Sequence, residues 1–365
     1  MRFRLAQPED DVQLRQLLRE TVIPGHIRMT YAREPNFFAG FAGGGKSTQV
    51  LVLEDKGRIA GVGCRSIRNF YINGKPQYFG YLSGLRLLPE VRNKTALARG
   101  YAFLRELHTD NRCPAYLTTI IDGNDAAEST LTSRRAGLPA YTAAGGYLTR
   151  VYPVRRSQKR PVPESQFTIQ SGDNVEEAEL REFLSREGAR RQFFPACGDS
   201  ETGVDLLAEI GRANLVVVMR GKEIAGIMGL WDRNAVRQYI VAGYSPWLGV
   251  CRPFLNLALR SRGFHGLPSS GEQQRIAFVA LPCIKDDDPQ VFRCLFRAVC
   301  EKAGANGIQQ LVAGMHEDDP LNAPAREAPH ITYRSRLYLV SWDDVPLTEK
   351  AFDDKRVPYL EAGML

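Results

Sequence analysis

A short basic turn, Val91-Arg92-Asn93-Lys94-Thr95-Ala96, separates a strand-like run from a helix-like run in this sequence. Arg92 and Lys94 bring two positive charges to it. A helix that starts at such a turn aims its free N–H groups and the positive end of its dipole at the same point, which suits a phosphate or pyrophosphate. The run before the turn, from Tyr78, alternates: Tyr81, Ser83, Leu85 and Leu87 fall on one face, and Leu82, Gly84, Arg86 and Leu88 on the other, until Pro89 ends it. The run after it spaces Leu97, Tyr101, Leu104 and Leu107 or His108 along one helical side.

This strand, loop and helix resemble the fourth strand, pyrophosphate loop and following helix of the GCN5-related N-acetyltransferase (GNAT) superfamily. The loop of that family reads Arg/Gln-x-x-Gly-x-Gly/Ala. Here Arg92 takes the first position and Thr95 and Leu97 replace the usual small residues; a shift by one residue brings Asn93, Ala96 and Ala98 into register instead. Asn124, Ala127, Leu131 and Gly137 resemble the family's Asn-x-x-Ala…Leu…Gly segment, whose Asn contacts the pantetheine or the loop; Asn124 also reads as a plain helix cap. The resemblance implies an acyl-CoA, acetyl-CoA first, held by the backbone at Leu85, Leu87 and Leu88 and by the loop residues Arg92, Asn93, Lys94, Thr95 and Ala96. Those leucines read equally well as core.

The acid and base do not follow directly. The family's strand Glu aligns with Tyr81, and its helix Tyr falls on Leu131 or Ser133. Tyr81, Asp122 and Tyr141 are therefore the catalytic candidates by location, each also serving as a structural hydrogen-bonding group. Some acyltransferases built of two GNAT-like halves use the C-terminal carboxylate as base. The segment Tyr359-Leu-Glu-Ala-Gly-Met-Leu365 is apolar enough to enter a groove, or to pack on the second domain.

The elements that must position these residues read in order. Residues 1–7 form a strand, and Pro8-Glu9-Asp10-Asp11 open a helix presenting Val12, Leu14, Leu17 and Leu18. Val22 to Phe38 reads as a second helix and loop, with Arg33 and Glu34 on the acceptor wall that the resemblance implies. Gln49–Glu54 and Arg58–Asn69 make a hairpin about Asp55-Lys56-Gly57, and Asn73-Gly74 turns into the organising strand. A strand at Ala115–Ile121, a helix from Asn124 to about Arg135 and a strand at Tyr141–Val151 complete a first domain, residues 1–152.

Residues 153–165 form a basic, Pro-rich linker, and residues 166–345 repeat the pattern of the first domain, with Ile-Ala-Gly shared by the two hairpins. The expected class is α/β, an α+β mixed sheet, with two GNAT-like domains in tandem and a tail at 346–365. In the second copy Lys285-Asp286-Asp287-Asp288-Pro289 sets three carboxylates where phosphates would lie, which opposes a second CoA. Its insertion, 237–272, reads as extra core or a homodimer contact, or as a lid over the first domain's site.

The chain has 365 residues, 44% hydrophobic and 24% charged, enough for two cores. A net charge of +7 favours anionic partners without selecting one. Seven Cys without a C-x-x-C pair or clustered His point away from disulfides and metal, so a cytoplasmic setting is expected. No apolar run spans a bilayer, and no aromatic-basic patch suggests nucleic acid. Gly40 to Ser47 satisfies G-x-x-x-x-G-K-[ST], but a strand follows it where a P-loop needs a helix. The expected function is direct N-acyl transfer from acyl-CoA to a small-molecule or peptide amine in a ternary complex, with no Cys acyl-enzyme. A silent CoA-binding sensor and an aminoacyl-tRNA-dependent transferase are the alternatives.

Overall fold

Apolar strands from both halves of the sequence join one mixed sheet in the computed structural model, which describes residues 1–23, 25–41, 48–92, 94–135, 137–156, 167–197, 205–342 and 355–365. The first half runs β1 (Arg2–Leu5), α1 (Asp11–Glu20), β2 (Val22–Ile23), β3 (Ile27–Ala32), β4 (Thr48–Asp55), β5 (Arg58–Ile72), β6 (Lys75–Leu87), α2 (Lys94–His108), β7 (Tyr116–Ile121), α3 (Asp125–Leu131) and β8 (Ala140–Pro153). The second half runs β9 (Thr168–Ser171), α4 (Glu177–Gly188), α5 (Leu206–Ile210), β10 (Leu215–Arg220), β11 (Glu223–Asp232), β12 (Gln238–Tyr244), α6 (Pro246–Ser261), β13 (Gln273–Gln274), β14 (Ile276–Ile284), α7 (Pro289–Ala305), β15 (Gln310–His316), α8 (Asn322–Ala325) and β16 (Ile331–Ser341).

The twelve strands of the sheet lie in the order β1-β4-β5-β6-β7-β16-β8-β15-β14-β11-β10-β9. The two halves exchange their last strands. β16 sits between β7 and β8, with Leu337 opposite Thr119, while β8 also pairs β15, with Val151 opposite Val312. α1 covers one face through Leu14 and Leu17, both almost fully buried, and Val12 points to solvent instead. Replacing either leucine by Ala would cost about 2–5 kcal/mol. α2 covers the other face through Tyr101 and Leu104.

The expected helix after Val22 is two strands, β2 and β3. β3 pairs β12 across the halves, Tyr31 opposite Tyr239 and Met29 opposite Val241, in a second sheet ordered β13-β12-β3-β2. A partner strand so distant in sequence overrides the local pattern. α3 stops at Leu131, short of Arg135, because Thr132 and Ser133 hydroxyls donate back to the carbonyls of Glu128 and Thr130 at 2.8 Å each. The P-loop-like residues 42–47, most of the expected linker, and tail residues 346–354 lie outside the described residues. Among the described residues no helix is long and apolar enough to cross a membrane.

Candidate active site

The organising strand parts from its neighbour where the chemistry was expected. β6 and β7 run parallel but pair only at Gly80–Tyr116 and Tyr81–Leu117, and diverge beyond. Thr118 Oγ1 donates to the Leu82 carbonyl at 3.0 Å at the start of the gap. On its other side β6 slips against β5: Ser83 faces Cys64 and Arg86 faces Val62, so Gly84 and Leu85 oppose the single residue Gly63. Gly84 has φ +66°, which a side chain would strain. The slip leaves Gly84 and Leu85 sharing one partner residue at the mouth of the gap.

A cavity of about 580 Å³ passes through this gap and reaches both faces of the sheet. Towards α2 its wall is apolar: Phe3, Leu51, Leu53, Leu97, Tyr101 and Leu104. Towards α1 it is basic and phenolic: Tyr31, Arg33, Tyr81, Arg86, Arg233, Arg237 and Tyr239 line it, together with Arg68. Arg237 and Tyr239 belong to the insertion, so residues of the second half close the first half's cavity. No aspartate or glutamate among the described residues lines it.

Residues 359–365 run into the same cavity. Tyr359 N–H donates to the Gln192 carbonyl at 2.7 Å, Tyr147 Oη donates to the Leu360 carbonyl at 2.7 Å, and Arg233 and Arg237 donate to the Gly363 carbonyl at 2.8 and 2.9 Å. A Cβ on Gly363 would lie 2.3 Å from Trp231, so only glycine passes that point. Arg237 also donates to the Leu365 carbonyl oxygen, and Met364 and Leu365 line the cavity. The tail therefore does more than pack on the second half.

The sequence candidates divide. Leu85, Leu87, Ala96 and Asn124 line the cavity, whereas Leu88 is buried in the α1 core. Arg92 is exposed at the turn before α2 and its Nε donates to the Leu87 carbonyl at 2.9 Å, tying the turn to the end of β6; Thr95 is exposed on the first turn of the helix. Asn93 lies outside the described residues, as does the Lys94 side chain. Asn124 caps α3, its Oδ1 accepting from Ala127 N–H at 3.4 Å, so cap and lining position coincide. Tyr81 lines the basic wall, and burial holds its phenol well above the usual value. Tyr141 lines the opposite end, hydrogen-bonded to Tyr101, with its phenol also raised by burial. Asp122 sits exposed on the turn after β7 and does not line the cavity. Cys64 does line it, but burial pushes its thiol up to about 11, which disfavours the thiolate an acyl-enzyme needs.

Of the two acceptor-wall residues, Arg33 lines the cavity with its guanidinium 4.0 Å from the Phe41 ring centroid, and Glu34 turns away to Arg15 at 2.5 Å. Arg68, Arg233 and Arg237 are additions that sequence reasoning missed: a charge within a strand, as at Arg68, or on the turn between β11 and β12, as at Arg233 and Arg237, reads as a solvent-facing position. Among the described residues no group of His, Cys, Asp and Glu could hold a metal ion.

The second half builds the same bulge and fills it. Gly229 pairs Ala280 and Ile227 pairs Cys283, leaving Leu281 and Pro282 as the extra pair, with Leu281 at φ +48°. Leu281 N–H donates to Glu361 Oε2 at 3.0 Å, and Tyr359 Oη reaches the same oxygen at 2.7 Å. The acids after β14 are engaged with arginines: Asp287 with Arg191 at 2.6 Å and Asp288 with Arg220 at 2.7 Å. Asp288 also caps α7 through Gln290 N–H at 2.8 Å.

The chain matches no protein-family model and no curated protein. Solved structures do resemble it. A GCN5-related N-acetyltransferase from Sphaerobacter thermophilus aligns with a TM-score of 0.55 and 10% identity, covering 93% of this chain and 94% of that one. N-myristoyltransferase of Saccharomyces cerevisiae, with bound myristoyl-CoA, aligns with a TM-score of 0.59 and 9% identity over 98% of this chain and 85% of that one. The GCN5-related glucosamine N-acetyltransferase region of a fungal multi-domain GH3 β-N-acetylglucosaminidase gives 0.53 and 12%, over 80% of this chain; the match spans 33% of that longer protein. What these proteins share with the chain at such identities is the fold.

Proposed function

We propose, from a fold shared with the GCN5-related N-acetyltransferases, that this protein is an acyl-CoA-dependent N-acyltransferase whose first half holds the thioester. The observation that carries the reading is the parted β6–β7 pair with the Gly84 bulge at its mouth, opening on a cavity that leads to the turn before α2. A CoA arm threaded through the gap would meet a main-chain donor at the bulge, and its pyrophosphate would face Arg92 and the N-terminus of α2.

The transfer would be direct. An amine approaching from the basic wall attacks the thioester carbonyl carbon. The oxygen gains charge and accepts from the N–H at the bulge; collapse breaks the C–S bond and releases the thiol of CoA. The attacking nitrogen must give up a proton and the leaving thiolate must gain one. Tyr81, kept protonated by burial, is suited to hold the leaving thiolate with a hydrogen bond while the thiolate takes up the proton that the amine gives up. In a chain that ends at Leu365 the main-chain carboxylate lies beside Arg237 at the cavity and can accept the amine's proton. Asp122 has no place in this scheme. The raised Cys64 thiol supports the ternary route over an acyl-cysteine.

Acetyl-CoA is the simplest donor. The apolar wall towards α2 favours a second reading, an acyl chain longer than acetyl, and the yeast myristoyltransferase's donor is of that kind. Thiol release with acetyl-, octanoyl- and myristoyl-CoA, measured with and without a panel of amines, tests both. Amine-dependent release with any of them supports transfer. Tight CoA binding without release for any amine would favour a sensor, and salt-dependent RNA binding without CoA binding would favour the tRNA-dependent alternative.

A further inference from the structure

We propose that the amine accepted at this site carries an acidic group, a carboxylate or phosphate, and that Arg68 receives it on the basic wall of the cavity. The proposal rests on the acyl-transfer reading above. Arg68 projects from β5, is only 6% exposed and lines the cavity, yet its Nε and Nη1 have no hydrogen-bond partner among the described residues. Its neighbours on the wall are engaged. Arg233 donates to the carbonyls of Gly363 and Gly40 at 2.8 and 2.6 Å and lies over the Trp231 ring at 4.7 Å. Arg237 holds Gly363 and donates to Tyr239 Oη at 2.9 Å.

A guanidinium kept out of water without a hydrogen-bond partner is costly: burial pulls Arg68 below its usual value, and the charge of Glu209 offsets only part of that. Arg33, Arg86, Arg233 and Arg237 face the same space, and among the described residues the one carboxylate side chain paired with any of them is Glu209, 3.8 Å from Arg233, whose charge also reaches Arg68. An incoming oxyanion relieves that penalty, and the planar fork of Arg68 offers it two parallel donors. A polyamine or a lysine-rich peptide would meet only repulsion there, so the wall selects against cationic acceptors as well as for anionic ones.

The test pairs acidic amines with neutral isosteres: glycine with glycinamide, and O-phosphoethanolamine with ethanolamine, with spermidine as the cationic control and inorganic phosphate as the simplest anion. Binding is measured by calorimetry on the full chain, with and without CoA, for the native protein, Arg68→Met and Arg68→Lys. At least one acid should bind at least tenfold more tightly than its neutral partner, the larger difference telling carboxylate from phosphate. Arg68→Met should erase the difference and Arg68→Lys should keep part of it. Without ligand Arg68→Met should melt at a higher temperature, because an unpaired buried charge is gone; a merely structural arginine would give the opposite. Equal binding within both pairs and no phosphate binding would overturn the proposal, as would a preference that survives in Arg68→Met. Acid binding governed by Arg68 in a protein that binds no CoA would refute acyl transfer and leave the anion site standing.

Discussion

The two halves build one device and use it differently. Each has a bulge on its central strand beside a parallel neighbour: Gly84 on β6 next to β7, and Leu281 on β14 next to β15. In the first half the bulge opens on a cavity and the following turn carries Arg92. In the second, Glu361 takes the Leu281 N–H, Tyr359 and Leu360 are packed in place, and the following turn is acidic. The corresponding cleft of the second half is thus a socket for residues 359–361. That tail continues to Leu365 in the first half's cavity, so the filled cleft positions what enters the open one.

The largest effect should follow removal of residues 359–365. Tyr359, Leu360 and Ala362 are all nearly fully buried, and a single buried leucine is worth about 2–5 kcal/mol. The truncated protein should melt well below the native one and release no thiol in the presence of an amine; retained transfer would show that the socket is incidental. Next comes Gly84→Val. A β-branched residue at φ +66° costs roughly 1–2 kcal/mol unless the strand straightens, and straightening moves the bulge donor. Turnover should fall about 10²–10³-fold, the loss expected for one oxyanion donor, with a modest fall in melting temperature.

The socket also has a pH signature. Burial raises the Glu361 carboxyl from 4.5 to about 7. Below 4.5 the group is protonated folded and unfolded, and costs nothing. As pH rises towards 7 only the unfolded chain ionises, so stability falls, by about 3 kcal/mol in all, and levels off above 7. Glu361→Gln should flatten that profile and melt roughly 2–5 °C higher than the native protein at pH 8, with little difference at pH 4.5. An unchanged slope between pH 5 and 7 would exclude the buried acid as its source. The smallest effect separates the two turns. Arg92→Ala should weaken CoA binding roughly threefold to tenfold, an exposed charge being worth about 1 kcal/mol, whereas Lys285→Ala should leave it unchanged.

Much of this was legible in the sequence where the determinants are local. The turns at Lys56-Gly57 and Asn73-Gly74 place Gly57, Asn73 and Gly74 at positive φ as their types predict, and the hairpins about them follow. The repeated Ile-Ala-Gly marks the corresponding strands β5 and β11. What depends on distant partners was not legible. β3 is a strand because β12 pairs with it, and nothing near Ile27 announces that partner. The exchange of β8 and β16 leaves no trace in the local sequence, since each strand's neighbours lie in the other half. Arg68 looks like a solvent-facing residue of β5, yet it is buried on the cavity wall. The tail's apolar character was visible in Tyr359 to Leu365; its route through one cleft into the other was not.

One measurement bears most directly on the difference between the clefts: the stoichiometry of acyl-CoA binding by calorimetry, for the native chain, Gly84→Val and Asp288→Ala. One molecule per chain, weakened in Gly84→Val and unaffected in Asp288→Ala, is the expected result. Two molecules per chain, or binding indifferent to Gly84 and sensitive to Asp288, would contradict the assignment of the open cleft to the first half.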